Sequence, residues 1–416
     1  MKSWSHPPVP SLPGNGPTPR VFDTATGTVQ EACSKTHASL YVCGITPYDA
    51  THIGHAATYL AFDTLVRLWL DAGKDVRYVQ NVTDVDDPLL ERAAATGVDW
   101  RELAESQVQL FRSDMELLQV IPPQYYVGVT EVIDEVAEAV AILLERGTAY
   151  RIETPDALVT GNEDIYFDIA AASRLTPWQL GDESNLDRAT MLALSAERGG
   201  DPERPGKRDP LDPLLWRAER AGEPAWETPL GRGRPGWHIE CTVIALDHHD
   251  ASITVNGGGS DLVFPHHEFS AAHATALTGA PLAEIYAHTG MVSYEGEKMS
   301  KSLGNLVFVS RLVADGVDPR AIRIALLAEH YRSDWEWTSG HLDAAQQRLA
   351  AWSGWAAGAA QAPSDPLLAE LRDALVDDID SPRAVQLVDA RVASGVPATQ
   401  LAVDAIESLL GVRLAA

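Results

Sequence analysis

The sequence predicts an α/β protein in which a doubly wound parallel sheet is interrupted by an inserted connective segment and followed by a C-terminal helical bundle. Three observations carry that expectation. Residues 39–46, SLYVCGIT, form a short apolar, β-branched run before a Pro47-Tyr48-Asp49 turn, which reads as a strand. From about Gly54 to Ala72, Tyr59, Phe62, Leu65, Val66 and Trp69 recur at helical spacing and Gly73 closes the stretch, the pattern of a helix with a glycine stop. Val76 to Val82 then offers a second strand ending in an acidic turn. Strand, crossover helix and strand together open a parallel sheet.

Further along, the pattern from Pro88 to Gly147 is helical and ends with IDEVAEAVAILLERG. Residues 148–235 change character: strand-like AYRIE and DIYFDI sit among many Pro, Gly and charged residues, as in an insertion between two halves of a sheet domain. Alternation resumes in ITVNGGGSDL, then come a helix across 265–278 and a strand near Ile285 to His288. After Asp318 the pattern is helical to Leu414, with a linker at 356–365. The expected organisation is an N-terminal arm (1–37), a first catalytic half (38–147), the connective insertion (148–235), a second catalytic half (236–337) and the bundle (338–416). The arm carries eight Pro or Gly from Pro7 to Pro19 and no apolar h-region, so it reads as loose and not as a signal peptide.

Composition narrows the function. The 416 residues suffice for one large or two ordinary domains. With 45% hydrophobic and 22% charged residues the chain is an ordinary globular protein. No charge-free apolar stretch is long enough to span a membrane. The 32 basic against 59 acidic residues leave −27, which argues against nucleic acid as the main partner, since phosphate binding leaves a basic footprint. A small-molecule substrate and a cytoplasmic setting fit better. Three cysteines, Cys33, Cys43 and Cys241, make no disulfide framework; each alone is a buried thiol or a metal ligand.

Two motifs carry phosphate chemistry. His52-Ile53-Gly54-His55 stands between the first strand and the first helix. It puts a glycine and two imidazoles at a helix N-terminus, where unpaired N–H groups suit a phosphate. Alone, the four-letter string reads more readily as two capping or surface histidines. Lys298-Met299-Ser300-Lys301-Ser302 places two of the chain's six Lys within one loop. Such cations can close on the β- and γ-phosphates of ATP and stabilise departing pyrophosphate. Together the HIGH and KMSKS motifs resemble the class I aminoacyl-tRNA synthetase family, which implies a Rossmann-like sheet binding ATP at its switch point, with Mg²⁺ accompanying the nucleotide.

A third constellation concerns the amino acid. Cys43 precedes the HIGH motif by nine residues, and His266 follows Cys241 by 25. Two thiolates and an imidazole make a Zn²⁺ site with an open position; from spacing alone, buried structural residues read equally well. An open zinc position prefers sulfur, so it discriminates cysteine from serine where shape cannot.

Tyr41–His55 (YVCGITPYDATHIGH), Asn81–Asp87 (NVTDVDD), Gly233–Cys241 (GRPGWHIEC) and Gly258–Glu268 (GGSDLVFPHHE) resemble cysteinyl-tRNA synthetase across most of residues 38–335. The resemblance implies one zinc held by Cys43, Cys241 and His266. It implies that His52 and His55 contact the phosphates, while Lys298 and Lys301 flank the closing loop. It further implies a cysteinyl-adenylate pocket of Cys43, Gly44, Ile45, Thr46, Thr58, Asn81, Val82, Thr83, Trp237, Gly259, Ser260, Asp261 and Val292. Asp261 either holds a ribose hydroxyl or serves the attacking amine.

The departures are equally informative. The tRNA enzymes carry a further zinc-binding Glu where this chain has Ser270, a poor ligand, and a Lys where it has Pro88. From Ser339 onward there are five Arg, no Lys and ten Asp or Glu, and Trp352 and Trp355 are its last aromatics. Such a segment is poorly suited to gripping an anticodon stem. With Glu197-Arg198-Gly199-Gly200-Asp201-Pro202 in the insertion, these features resemble the cysteine:glucosaminyl-inositol ligases of mycothiol biosynthesis. That resemblance implies L-cysteine, ATP and glucosaminyl-inositol as substrates, with cysteinyl-adenylate formed first and an amide second. No tRNA partner and a monomer are expected. A cysteinyl-tRNA synthetase with a reduced tail is the alternative. A non-catalytic binding module is the third reading, opposed by the intact motifs.

Overall fold

In the computed structural model, which describes residues 1–33, 35–249, 252–299 and 305–414, the N-terminal segment is packed and not loose. Strand β1 (Arg20–Asp23) pairs antiparallel with β2 (Thr28–Glu31). The buried Trp4 indole donates to the Val120 carbonyl at 2.7 Å. Pro and Gly suggested a mobile arm, but a few apolar anchors, Trp4 and Val21 among them, fix it.

The parallel unit follows. Strand β3 (His37–Val42), helix α1 (Ile53–Asp71) and strand β4 (Asp75–Val82) stand in the expected order. Gly73 adopts the left-handed φ of +73° after the helix, the conformation glycine adopts most readily. Helices α2 (Asp87–Thr96) and α3 (Trp100–Leu117) lead to β5 (Tyr125–Gly128), then α4 (Ile133–Glu145). The expectation of continuous helix from Pro88 to Gly147 is therefore corrected. The left-handed Gly97 ends α2, and α3 stops at Leu117. Pro122 and Pro123 then keep the chain out of helix up to β5, whose four residues are too few for a strand period to stand out.

The insertion forms its own four-stranded antiparallel sheet from β6 (Ala149–Glu153), β7 (Glu163–Phe167), β8 (Leu214–Ala218) and β9 (Gly233–Pro235). Between β7 and β8 lie α5 (Ile169–Leu175) and α6 (Arg188–Glu197). The chain returns through α7 (Trp237–His248), β10 (Ile253–Gly259), α8 (Glu268–Thr278) and β11 (Ala283–Thr289).

The main sheet has the order β11-β10-β3-β4-β5, with every pairing parallel. From β3 the chain builds outward through β4 and β5, then returns to the other side of β3 with β10 and β11. The switch point therefore lies between β3 and β10. In such sheets the ligand crevice opens beyond the carboxyl ends of the strands at this point. Cys43 and Gly259 stand there.

The C-terminal region is mainly helical, but Trp335–Trp337 forms a strand beside Val292–Tyr294, a departure from the all-helix expectation after Asp318. Helices Ser339–Ala356, Pro366–Leu375, Ser381–Ala393 and Gln400–Ala405 complete the region. It is tied to α1 by a buried charge cluster. Asp63 accepts from Arg67 Nε at 2.8 Å, from Arg323 and from the Ile121 amide at 2.8 Å. Arg67 and Arg323 also donate to the Glu407, Ser408 and Leu410 carbonyls. Burial pushes the Asp63 carboxyl up, but the two guanidinium groups outweigh it and hold it below its ordinary value. A buried charge of this kind is tolerated because it is paired and hydrogen-bonded. Among the described residues, no helix is long and apolar enough to cross a membrane.

Candidate active site

A cleft of about 290 Å³ opens at the switch point. At one end, Cys43 follows β3, Cys241 lies in the first turns of α7, and His266 sits in the turn between β10 and α8. All three are buried, and one ligand atom from each lies within 4.8 Å of the others. Two thiols and an imidazole at this spacing, with no fourth side-chain ligand grouped with them among the described residues, fit a zinc ion with an open position.

The surroundings hold these groups in place. Cys43 Sγ lies 3.2 Å from His267 Nε2, His267 Nδ1 lies 2.7 Å from His288 Nε2, and His288 Nδ1 lies 2.7 Å from Thr24 Oγ1. The N-terminal hairpin is thus joined to a thiol of the site. His266 Nδ1 is 3.0 Å from His238 Nδ1, and the Trp237 ring packs at 4.5 Å between centroids. Burial pushes the Cys43 thiol up, and Cys241 adds to that effect. Burial also raises Cys241, but its hydrogen bond with Cys43 and the His266 imidazole outweigh it and hold that thiol well below its ordinary value. Ser270 is buried and donates to the His238 carbonyl at 3.2 Å. It braces α7 where the tRNA enzymes carry a carboxylate.

The other end is a helix N-terminus. His52 caps α1: its Nδ1 accepts from the Gly54 and His55 amides at 3.1 and 3.4 Å. That leaves Nε2 as the protonated donor of the neutral ring. A Cβ at Gly54 would stand 3.0 Å from the His52 ring, so glycine gives the cap its room. The His52 and His55 rings stack at 3.8 Å. Burial lowers the His55 pKa to about 4, so this ring is neutral at pH 7. Its Nδ1 is buried without a hydrogen-bond partner among the described residues.

The expected pocket residues fall into two groups. Cys43, Gly44, Ile45, Thr46, Thr58, Trp237, Gly259 and Asp261 line the cleft, together with His52 and His55. Asn81 and Thr83 stand behind it: Asn81 Oδ1 accepts from the Gly44 amide at 2.7 Å and its Nδ2 donates to Thr83 Oγ1 at 3.1 Å. A Cβ at Gly44 would lie 1.7 Å from the Asn81 carbonyl, so this wall is tight. Val82 and Val292 are buried, and Ser260 begins a short helical turn after β10; none of the three lines the cleft. Lys298 ends a two-residue strand, Glu297–Lys298, while Lys301 lies outside the described residues. Sequence reasoning passed over Tyr48, Asp49, Met299 and Leu306, which also line the cleft. Tyr48 and Asp49 were within reach, since both fall inside the string that ends in the HIGH motif.

A parallel sheet switching at β3 and β10, with a capped histidine helix at its mouth, defines a class I synthetase catalytic domain. The family model described as tRNA synthetases class I (C) catalytic domain matches residues 29–347. A solved methionyl-tRNA synthetase of Mycobacterium tuberculosis, in complex with methionyl-adenylate, shares the fold with a TM-score of 0.58 and 16% identity, covering 86% of this chain and 82% of that one. Over full length the similarity is closer. An L-cysteine:1D-myo-inositol 2-amino-2-deoxy-alpha-D-glucopyranoside ligase of Clavibacter michiganensis subsp. michiganensis is 66% identical, covering 100% of this chain and 99% of that protein. The protein of the same description from Cellulomonas flavigena is 57% identical, with 100% of both chains covered. The chain belongs to this family of L-cysteine:1D-myo-inositol 2-amino-2-deoxy-alpha-D-glucopyranoside ligases.

Proposed function

We propose that the chain activates L-cysteine with ATP as cysteinyl-adenylate and passes the cysteinyl group to the amine of 1D-myo-inositol 2-amino-2-deoxy-alpha-D-glucopyranoside. The first step releases pyrophosphate; the second forms an amide and releases AMP. One observation supports this reading above the others: a single cleft is lined both by Cys43, which is grouped with the buried Cys241 and His266, and by His52 and His55 of the capped helix.

Cys43, Cys241 and His266 would hold a zinc ion, which when bound supplies a soft position that prefers a thiolate to a hydroxyl. Trp237 closes the side of that position. At the far end, His52 donates through Nε2 and α1 presents its N-terminal amides, so negative charge gathering on the phosphates meets oriented donors. Without nucleotide the buried His55 ring is neutral, so the standing positive charge for the phosphates is that of Lys298, Lys301 and Mg²⁺. The attacking amine must be unprotonated, and Asp261 supplies a carboxylate at the cleft for its proton. Asp261→Asn should lower amide formation far more than pyrophosphate exchange; equal loss in both would move Asp261 to the adenylate step.

The reading is tested with the metal-loaded protein. Cysteine-dependent exchange of pyrophosphate into ATP should appear without any acceptor. AMP should then accumulate one for one with amide when the amino sugar is added. Exchange without amide, alongside cysteinylation of tRNA, would contradict it.

A further inference from the structure

The Glu197–Pro202 segment lies in the insertion, yet it reaches the turn that borders the cleft. Arg198 caps α6, with its amide donating to Leu194 O at 2.9 Å. Gly199 follows at φ +81°, and the Gly200 amide donates to Ser195 O at 2.8 Å. A Cβ at Gly200 would stand 2.3 Å from Ser195 Oγ and 2.6 Å from its carbonyl, so the turn closes tightly only with glycine there. Asp201 fastens the far side, accepting from Lys207 Nζ at 2.9 Å and from the Tyr166 hydroxyl of β7. A turn fixed at both ends aims one side chain outward. Arg198 Nη1 donates to the Asp261 carbonyl at 2.6 Å and to the Phe264 carbonyl.

Those carbonyls bracket the irregular turn between β10 and α8. Asp261 lines the cleft, and His266 of the metal-ligand group follows Phe264 by two residues. The turn is made of two short helical pieces, Ser260–Leu262 and Val263–His267, interrupted by the extended backbone of Phe264, so external partners help to set its shape. One charged donor group gripping two carbonyls is a strong and directional restraint.

We propose that Arg198 is a positioning residue: from the insertion, it fixes the backbone of the Asp261–Phe264 turn and so sets His266 within the metal-ligand group that receives cysteine. This rests on the proposed cysteine activation and goes beyond it by giving the insertion a part in the first step. The residue touches neither the ligand group nor the reacting atoms. Its effect passes through the backbone it holds.

The test compares the full-length wild-type chain with Arg198→Ala and Arg198→Lys. Readouts are zinc retained under chelator challenge, the KM values for cysteine and ATP in pyrophosphate exchange, and the melting temperature. For Arg198→Ala we expect zinc retention to weaken about tenfold and KM for cysteine to rise about tenfold, the scale of lost outer-shell support. KM for ATP should stay within about twofold, because the α1 terminus is untouched. Arg198→Lys, which keeps the charge but not the rigid planar guanidinium, should lie between, and it decides the matter if the alanine variant does not fold. Wild-type zinc retention and cysteine KM in the variants would overturn the proposal, as would a lowered melting temperature with both unchanged. Absence of cysteine-dependent exchange in the wild type would instead overturn the proposed function, so the two failures are distinguishable.

Discussion

At the thiol end of the cleft, three ligand atoms within 4.8 Å come from a strand end, a helix and an irregular turn. At the phosphate end, His52 and His55 come from one helix start and stack at 3.8 Å. The first arrangement is dispersed in sequence, buried and braced by hydrogen bonds to further histidines. The second is contiguous and braced by its own backbone. The difference teaches that amino-acid choice is carried by tertiary structure here, whereas phosphate handling is carried by local structure. Damage to the two ends should therefore look different in kinetics.

The largest effect is expected at the thiol end. Cys241→Ser should abolish stable metal retention and lower cysteine-dependent exchange by more than about 100-fold, beyond the loss typical of an outer-shell change. Chelation of the wild-type protein should raise KM for cysteine and erode rejection of serine. A stripped protein with normal cysteine selectivity would break the contrast.

His52→Ala should act mainly on kcat, by about 100-fold, as removal of a transition-state donor does. Its KM for cysteine should move little. A change confined to that KM would erase the distinction between the two ends.

Outside the cleft, Asp63→Asn should leave cysteine KM unaltered but cost about 3 kcal/mol of stability in urea unfolding, because it uncovers two buried guanidinium groups. The smallest effect concerns His273, which is fully buried with neither ring nitrogen bonded among the described residues. Burial lowers its pKa to about 3, below the ordinary histidine value, so its share of stability is present above pH 6.5 and lost as the pH falls. His273→Phe should match or exceed the wild type by about 1 kcal/mol at pH 7. That advantage should widen as pH falls from 6.5 toward 4, measured as the difference in urea midpoints.

The same contrast explains what could be read in the sequence. The strand-helix-strand opening and the HIGH turn were legible because their signals are local. Cys43, Cys241 and His266 were only candidates from spacing, since nothing local shows that three elements converge; the resemblance joined them. Strand β5 was hidden by its length, and the N-terminal hairpin by its proline-rich approach. Arg198 was invisible as a clamp, because the carbonyls it holds carry no side-chain signal.

The tail adds a second lesson. Its acidity argued against RNA, and the structure folds part of it against α1 through Asp63, Arg67 and Arg323. The central claim therefore concerns the acceptor, and one measurement addresses it most directly. Metal-loaded protein, ATP and cysteine are supplied with either the amino sugar or tRNA, and AMP release is followed beside the acylated product. The account predicts AMP matched by amide with the amino sugar and no cysteinyl-tRNA. Cysteinyl-tRNA formation, with the amino sugar left unchanged, would contradict it.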